Sequence, residues 1–371
     1  MSKASNLYAL GLEQIKDAIL AAGDEQTTLV QGHMGTGKSS ILKMLAAELP
    51  DHVPCYFDCT TKDLGDISVP KLMAIDTNDD GTECVRFVPN EELGLHFQKP
   101  VILMIDEYGK ANRAVQNAML RIMQERKLSH NDIKGYIFAT TNLGAEGVGD
   151  ILLPHARNRI SIVTSRKPSW EEWIEWGLNN GIDFVLLGWV KEMRDVLFQS
   201  FEDIKEPFDK EGNPTNPYVY HPQVPMTSFV TPRSLEGASR WLKKRDRIDD
   251  QTLTAFLMGT IGERGGMDLM THTKLVSQLP TIESIKKDPK TAMVPSSAAA
   301  TAMVVLRALG AVDRDWIDAW VEYMNRLDKE AHGLFVNHVR QKNYAKQSIV
   351  MSNKKFRDWA MANNYLFAAD K

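Results

Sequence analysis

The stretch Gly32-His-Met-Gly35-Thr-Gly37-Lys38-Ser39 decides the fold of this 371-residue chain. A short β-prone run, residues 27–31, precedes it, and residues 39–49 follow with apolar side chains at helical spacing. In this order, a strand, a glycine-rich turn and a helix predict a phosphate-binding loop. The glycines let backbone N–H groups turn toward an anion at the positive end of the helix. The alternative is a glycine-rich turn without a ligand, but the motif arises by chance in only roughly one chain in a hundred of this length.

The residue types within the loop predict ATP and Mg²⁺ as cofactors. Lys38 is expected to reach the β- and γ-phosphates, and the Ser39 hydroxyl to take a position in the magnesium shell. The residues predicted to bind the nucleotide in the loop are Gly32, His33, Met34, Gly35, Thr36, Gly37, Lys38, Ser39 and Ser40.

A second strand signal ends in two acidic residues. Residues 101–105 form a continuous apolar run, which is typical of a strand buried on both faces, and Asp106 and Glu107 follow at once. We expect Asp106 to bind magnesium together with Ser39, and Glu107 to orient and deprotonate the attacking water. An acidic pair at a strand end is weak evidence alone, but downstream of a phosphate-binding loop it indicates hydrolysis rather than transfer to a substrate.

A third strand signal ends Ala139-Thr-Thr-Asn142. Asn142 is predicted to hold the water from the other side, and a simple strand-terminating turn is the alternative. Strand and helix patterns alternate up to about residue 165, which predicts a parallel α/β sheet. Beyond residue 167 the patterns are mainly helical.

These motifs resemble those of AAA+ proteins in order and spacing. Residues 106–126 and 142–159 resemble the corresponding segments of the MoxR-type branch. Residues 61–89 lie where this clade inserts a β-hairpin into helix 2. The chain departs from the family pattern at residues 108–110, Tyr-Gly-Lys, which follow the acidic pair where the family commonly reads Ile-Asn-Arg.

The resemblance implies a set of site residues. Lys38, Glu107, Asn142 and Arg159 would be catalytic, with Arg159 as an arginine finger that reaches the nucleotide of a neighbouring subunit. Arg157 is the second choice, and an ordinary surface arginine is the alternative. Thr231-Pro232-Arg233 resembles the motif that opens a lid helix, so Arg233 would contact the nucleotide of its own subunit. The alternative for Arg233 is an ion pair at a helix start.

The resemblance also implies the domain organisation. We expect an αβα P-loop NTPase core of the AAA+ type at residues 1–165, with the insert at about 61–89. A helical lid domain would span residues 166–285. Residues 286–371 would form a linker and a helical C-terminal extension.

Three functions remain open from the sequence. The MoxR likeness implies an ATPase that works as a homo-oligomeric, hexameric ring and remodels or helps to mature a partner protein, often one with a von Willebrand factor A domain. A nucleic-acid motor or loader is the second, because residues 340–357 are rich in Lys and Arg with Tyr344 and Phe356 between them. A nucleotide-gated scaffold is the third, although every residue needed for hydrolysis is present.

Composition narrows the class of protein and the cellular compartment that are expected for this chain. The net charge of −4 argues against a dedicated nucleic-acid binder, and three cysteines argue against a disulfide scaffold and for a reducing compartment. No apolar segment predicts a signal peptide or a membrane span. The expectation is a cytoplasmic protein.

Overall fold

The computed structural model describes residues 8–74, 83–128, 131–143 and 158–367. Two compact units divide the chain, Met1–Lys167 and Pro168–Lys371. Arg157 and the tip of the predicted insert, residues 75–82, lie outside the described residues. The predicted boundary at residue 285 stays a prediction.

The first unit is built on a parallel sheet. The chain has nine described strands: β1 (Thr28–Gly32), β2 (Val53–Asp58), β3 (Ser68–Ala74), β4 (Glu83–Pro89), β5 (Val101–Asp106), β6 (Lys127–Leu128), β7 (Asn131–Asp132), β8 (Gly135–Asn142) and β9 (Ser161–Ser165). Five of them form one sheet in the order β2-β5-β8-β1-β9, and all its pairs are parallel. The parallel α/β sheet that the sequence predicts is confirmed.

The strand register brings the predicted site residues to one edge. Gly32 lies opposite Asn142, and Asp58 lies opposite Asp106. Because all five strands run the same way, their carboxyl ends meet at this edge, which is where ligands bind in open α/β sheets.

Helices cover both faces of this sheet. The helices of the first unit are α1 (Leu12–Ala22), α2 (Ser40–Glu48), α3 (Leu64–Ile67) and α4 (Arg113–Glu125). On one face, buried residues of α1 and α2 pack against Val30, Met104 and Phe138. On the other face, buried residues of α4 pack against Leu103 and Ile105. Alternate residues of β5 therefore serve the two cores, as the strand repeat of two requires.

An antiparallel hairpin lies within residues 61–89. Its strands β3 and β4 pair from Ser68 opposite Pro89 to Ala74 opposite Glu83. A second antiparallel pair, β6 and β7, follows α4.

The second unit is helical. Its helices are α5 (Trp170–Asn179), α6 (Phe184–Met193), α7 (Pro232–Leu242), α8 (Asp250–Ile261), α9 (Glu263–Thr273), α10 (Ile282–Lys287), α11 (Ala298–Ala311), α12 (Ile317–Met324), α13 (Lys329–Arg340), α14 (Gln347–Ser352) and α15 (Lys354–Ala362). One apolar cluster runs through it from Trp173 to Trp359. Within the described ranges, no helix is long and apolar enough to cross a membrane.

Local sequence explains where α7 begins. The Thr231 side chain accepts a hydrogen bond from the backbone N–H of Ser234, and Pro232 occupies the first helical position. Both are strong helix-start features, because the hydroxyl satisfies an orphan N–H group and proline needs no N–H there.

Candidate active site

The glycine-rich loop joins β1 to α2 at the carboxyl edge of the sheet. Gly35 and Gly37 have φ values of 70° and 95°, in the left-handed region that glycine adopts at little cost. Gly32 allows a close approach, since a Cβ atom there would lie 2.1 Å from the Ser165 hydroxyl oxygen of β9. The three glycines of the motif thus serve the backbone path that the phosphate-binding role predicts.

The Lys38 ammonium lies within the loop and is almost fully buried. Its Nζ donates to the carbonyl oxygens of Gly32 and His33 and to Oδ1 of Asn142, each at 2.8 Å. All three acceptors are uncharged. These contacts place the ammonium inside the phosphate-binding loop, as a role at the phosphates requires.

Both carboxylate oxygens of Asp106 are held. Oδ1 accepts a hydrogen bond from the Thr140 hydroxyl of β8 and one from the backbone N–H of Glu107 at 3.1 Å. Oδ2 accepts a hydrogen bond from the Tyr56 hydroxyl of β2 at 2.8 Å. Burial, with the bond to Asp106 and its charge, raises the pKa of Tyr56. The phenol therefore stays protonated at neutral pH and remains a donor.

Glu107 follows the strand in an unusual backbone conformation. Its φ of 54° and ψ of 35° lie in the left-handed region, and a 3₁₀ turn, Tyr108–Lys110, starts after it. Non-glycine residues in this region are uncommon and cluster at functional sites. The turn folds Lys110 back, so that its ammonium forms an ion pair with Oε2 of Glu107.

Asn142 connects Glu107 to Lys38. Its Nδ2 lies 3.2 and 3.0 Å from Oε1 and Oε2 of Glu107, while its Oδ1 accepts from Lys38. The structure thus brings together three of the four residues that the sequence analysis named as catalytic. They come from the ends of β5 and β8 and from the loop after β1.

The donor set fits a magnesium nucleotide. Mg²⁺ prefers oxygen ligands and usually takes only one or two carboxylates, with the rest from phosphate and water. Asp106 offers a carboxylate, and the half-buried Ser39 hydroxyl makes no helix-capping hydrogen bond. The described part of the chain contains no group of three or more His, Cys, Asp or Glu side chains that could hold a metal ion by itself.

The two predicted arginines lie on different units of the chain. Arg159 is exposed in the turn before β9, where its Nη1 lies 3.4 Å from Oε1 of Gln124. Arg233 is exposed in the first turn of α7, in the second unit. The roles of both arginines stay predictions.

Three residues at this edge were missed by the sequence analysis: Tyr56, Thr140 and Lys110. Counting in steps of two along the paired strands places Thr140 and Tyr56 on the same face of the sheet as Asp106. Once the strand register is known, both residues can be identified as neighbours of this carboxylate. Lys110 was noticed only as a departure from the family pattern, since its contact depends on the left-handed backbone of Glu107.

Comparisons with known proteins agree with this fold. Residues 27–165 match the AAA domain family, in its dynein-related subfamily. This part of the chain has the P-loop AAA+ fold. No curated protein matches the chain.

Distant similarities exist among solved structures. One is the Thermotoga maritima RuvB Holliday junction branch migration motor, at 14% identity and a TM-score of 0.35, covering 70% of this chain and 67% of that one. A single-residue variant of the same RuvB matches at 14% identity and a TM-score of 0.31, covering 95% of this chain and 89% of the other. Similarity at this level does not extend to function.

Proposed function

We propose that this protein is a magnesium-dependent ATP hydrolase of the AAA+ type that acts as a ring of identical subunits. The observation that carries the proposal is the network Lys38–Asn142–Glu107, with Asp106 beside it at the same sheet edge. A phosphate-binding cation, a metal-binding carboxylate and a second carboxylate for water are the parts that ATP hydrolysis needs.

Each residue has a separate task in this proposal. Lys38 and the loop N–H groups bind the phosphates, while Ser39 and Asp106 hold magnesium. Magnesium, when bound, neutralises phosphate charge and orients the terminal phosphoryl group. Glu107 orients the attacking water and accepts its proton, and Asn142 keeps the Glu107 carboxylate at the end of β5.

A change in the hydrogen-bond partners of Lys38 would link nucleotide binding to the Glu107 carboxylate. Lys38 shares its hydrogen bonds between two loop carbonyls and Asn142. A phosphate oxygen carries negative charge, so it attracts the Lys38 ammonium more strongly than a neutral carbonyl or amide oxygen does. We therefore expect nucleotide binding to draw Lys38 away from Asn142, which frees the amide to rearrange around the water.

The ring is supported by the position of Arg159. Arg159 is exposed and its Nη1 lies 3.4 Å from Oε1 of Gln124, a position that leaves the guanidinium accessible to a neighbouring copy. A finger supplied in trans contributes about 10³- to 10⁵-fold in rate, so an isolated subunit would be a poor ATPase. Arg233 would contact the nucleotide from the lid.

The MoxR-type likeness of residues 106–126 and 142–159 supports a role in remodelling or maturing a protein partner, with a von Willebrand factor A domain as the first candidate. We place this activity in the cytoplasm. The nucleic-acid alternative is not favoured, because Tyr344 and Phe356 within the basic stretch are only 5% and 1% exposed and offer no surface for base stacking.

The first test is steady-state ATPase activity at several protein concentrations. The wild type should hydrolyse ATP in the presence of Mg²⁺, with specific activity rising as subunits associate. Glu107→Gln should lose turnover, whereas the control Glu125→Gln, an exposed residue paired with Arg121, should retain it. A wild type without Mg²⁺-dependent turnover at any concentration would overturn the proposal.

Mixing inactive variants tests the ring. Lys38→Ala and Arg159→Ala should each be nearly inactive alone, but a mixture should recover activity, because a Lys38→Ala subunit supplies its arginine to the intact loop of an Arg159→Ala neighbour. A mixture of Lys38→Ala with Glu107→Gln should not recover, since every site then lacks one residue. Full activity of Arg159→Ala alone would contradict the shared site.

A further inference from the structure

Asp106 is held by donors from two neighbouring strands. Thr140 of β8 and the Glu107 N–H group bind Oδ1, and Tyr56 of β2 binds Oδ2 at 2.8 Å. Tyr56 belongs to none of the motifs that identify the site. Its contact therefore calls for a separate explanation.

Strand geometry explains how Tyr56 reaches the carboxylate. In the register of β2 with β5, Tyr56 lies opposite Met104, and Asp58 lies opposite Asp106. Side chains alternate between faces, so Tyr56, Met104 and Asp106 share the face covered by α1 and α2. The backbone of Tyr56 therefore lies beside Met104, two residues before Asp106 along the strand. Its long phenolic side chain reaches forward to the Asp106 carboxylate.

The burial of β2 argues against a packing role for Tyr56. Cys55 and Phe57 point into the core and are 6% and 0% exposed, whereas Tyr56 is 46% exposed. An aromatic ring that contributed mainly apolar packing would be buried. The feature of Tyr56 that is fixed in the structure is its hydroxyl, which donates to Asp106.

A neutral donor on one oxygen of a metal-binding carboxylate has a known physical effect. It fixes the orientation of the carboxylate and leaves the remaining lone pairs for the metal, and the loss of such a partner typically costs about 10- to 100-fold in metal affinity or activity. Thr140 and the Glu107 N–H group constrain Oδ1 only. Without Tyr56, rotation of the carboxylate about its Cβ–Cγ bond is restrained only through Oδ1.

We propose that Tyr56 is a positioning residue that orients the Asp106 carboxylate for magnesium. This inference rests on the proposed function, in which Asp106 serves the magnesium ion. Tyr56 acts through Asp106 and does not itself touch the nucleotide or the reacting water.

Tyr56→Phe removes the hydroxyl and keeps the ring. At saturating ATP, the Mg²⁺ concentration that gives half-maximal ATPase activity should rise by roughly 10-fold. The KM for ATP at saturating Mg²⁺ and the kcat there should stay within about twofold, because Lys38 and Glu107 are untouched. The matched control is Tyr136→Phe, a half-buried phenol on the same sheet face, six residues before the strand end at Asn142.

A second readout needs no turnover. The affinity for a fluorescent ADP analogue is measured with Mg²⁺ and with a chelator. In Tyr56→Phe, affinity with the chelator should equal that of the wild type, and the increase that Mg²⁺ gives should be smaller by roughly 10-fold. Tyr136→Phe should match the wild type in both conditions.

The outcomes separate this inference from the proposed function. If the wild type binds Mg²⁺ and nucleotide but does not hydrolyse ATP, the proposed function fails while the binding comparison still tests Tyr56. An unchanged Mg²⁺ dependence in Tyr56→Phe overturns the inference. An equal loss of affinity with and without Mg²⁺ also overturns it, because that result indicates a disturbed loop rather than a misplaced carboxylate.

Discussion

The sheet edge of the first unit and the core of the second unit are built from different kinds of groups. In the α/β unit, buried or half-buried polar side chains at the carboxyl edge of the sheet bind one another, as Lys38, Asn142 and Glu107 do. In the helical unit, large aromatic residues such as Trp320 and Phe335 fill one apolar cluster. Some buried ring nitrogens there, among them His272 Nε2 and Trp320 Nε1, have no hydrogen-bond partner among the described residues.

This difference separates chemistry from stability. A substitution at the sheet edge removes a functional group but little apolar contact, so it should reduce activity more than stability. A substitution in the helical core should do the reverse. The chain offers a direct way to tell them apart, because all eight tryptophans lie between Trp170 and Trp359, so tryptophan fluorescence reports unfolding of the helical unit alone.

The largest expected effect is on activity. Lys38→Ala should reduce turnover by about 10²-fold or more, since one preorganised group at the reacting phosphate typically contributes that much. The unfolding transition followed by far-ultraviolet circular dichroism, which also reports the α/β unit, should change far less than the activity. Lys43→Ala, an exposed lysine in α2, is the matched control and should change neither quantity.

The reverse effect is expected in the helical core. Phe335 is fully buried against Trp320 and Phe356, so Phe335→Ala should lower the free energy of unfolding by about 3–5 kcal/mol through the cavity it leaves. Chemical denaturation followed by tryptophan fluorescence measures this change. Phe256→Ala, at a 46% exposed phenylalanine in α8, should cost far less. Equal losses at the two positions would contradict the single-core description.

The pH dependence of the helical unit is a smaller expected effect. Burial lowers the pKa of His272 from 6.5 to about 4. The Glu192 carboxylate lies 3.5 Å from Nδ1, but its side chain is 55% exposed, so water screens it and burial dominates. The unfolded state protonates His272 more readily than the folded state does. The free energy of unfolding is therefore unaffected by this group above about pH 6.5 and falls as the pH drops from about 6.5 toward 4.

Between about pH 7.5 and pH 5, this histidine should cost about 2 kcal/mol of stability. Denaturation curves at the two pH values, followed by tryptophan fluorescence, measure the loss. His272→Leu should remove most of this difference, whatever its effect on stability at neutral pH. An unchanged pH dependence in that variant would assign the effect to other groups, such as buried His338, whose pKa burial also lowers.

The smallest expected effect is a coupling within the α/β unit. Gly32→Ala should destabilise the loop, because its Cβ would lie 2.1 Å from the Ser165 hydroxyl oxygen and 3.0 Å from the Ser165 carbonyl oxygen. Ser165→Gly should relieve part of this clash. A double-mutant cycle on stability, followed by far-ultraviolet circular dichroism, should show a coupling of about 1 kcal/mol. Strictly additive losses of stability would mean that the close approach of Gly32 and Ser165 does not restrict the side chain at position 32.

The sequence predicts the chemistry of the sheet edge better than its geometry. Asp106, Glu107 and Asn142 each end an apolar strand pattern, so their meeting at one edge follows from parallel strand order alone. Tyr56 and Thr140 could not be assigned, because their contacts depend on the register between strands, which no local pattern encodes. Lys110 required the positive φ of Glu107, which the residue type does not favour.

In the helical unit, the sequence predicts local structure but not packing or the roles of single residues. Helical spacing predicts its helices, and Thr231-Pro232 marks one start, but which helices share a core depends on long-range packing. The role of Arg159 depends on a neighbouring copy, and the role of Arg233 depends on how the lid closes over a nucleotide. No local sequence pattern encodes either event, so both roles come from the family resemblance.

A single-turnover experiment with radiolabelled ATP and excess protein tests most directly whether Glu107 activates the attacking water. The wild type and Glu107→Gln are compared for nucleotide retained on a filter and for phosphate released. We expect equal Mg²⁺-dependent binding to the two proteins, with phosphate release from the wild type and release at least about 10²-fold slower from Glu107→Gln. Phosphate release at the wild-type rate from Glu107→Gln would show that the carboxylate bound to Asn142 does not activate the water, and the assignment of this edge as the hydrolytic site would be wrong.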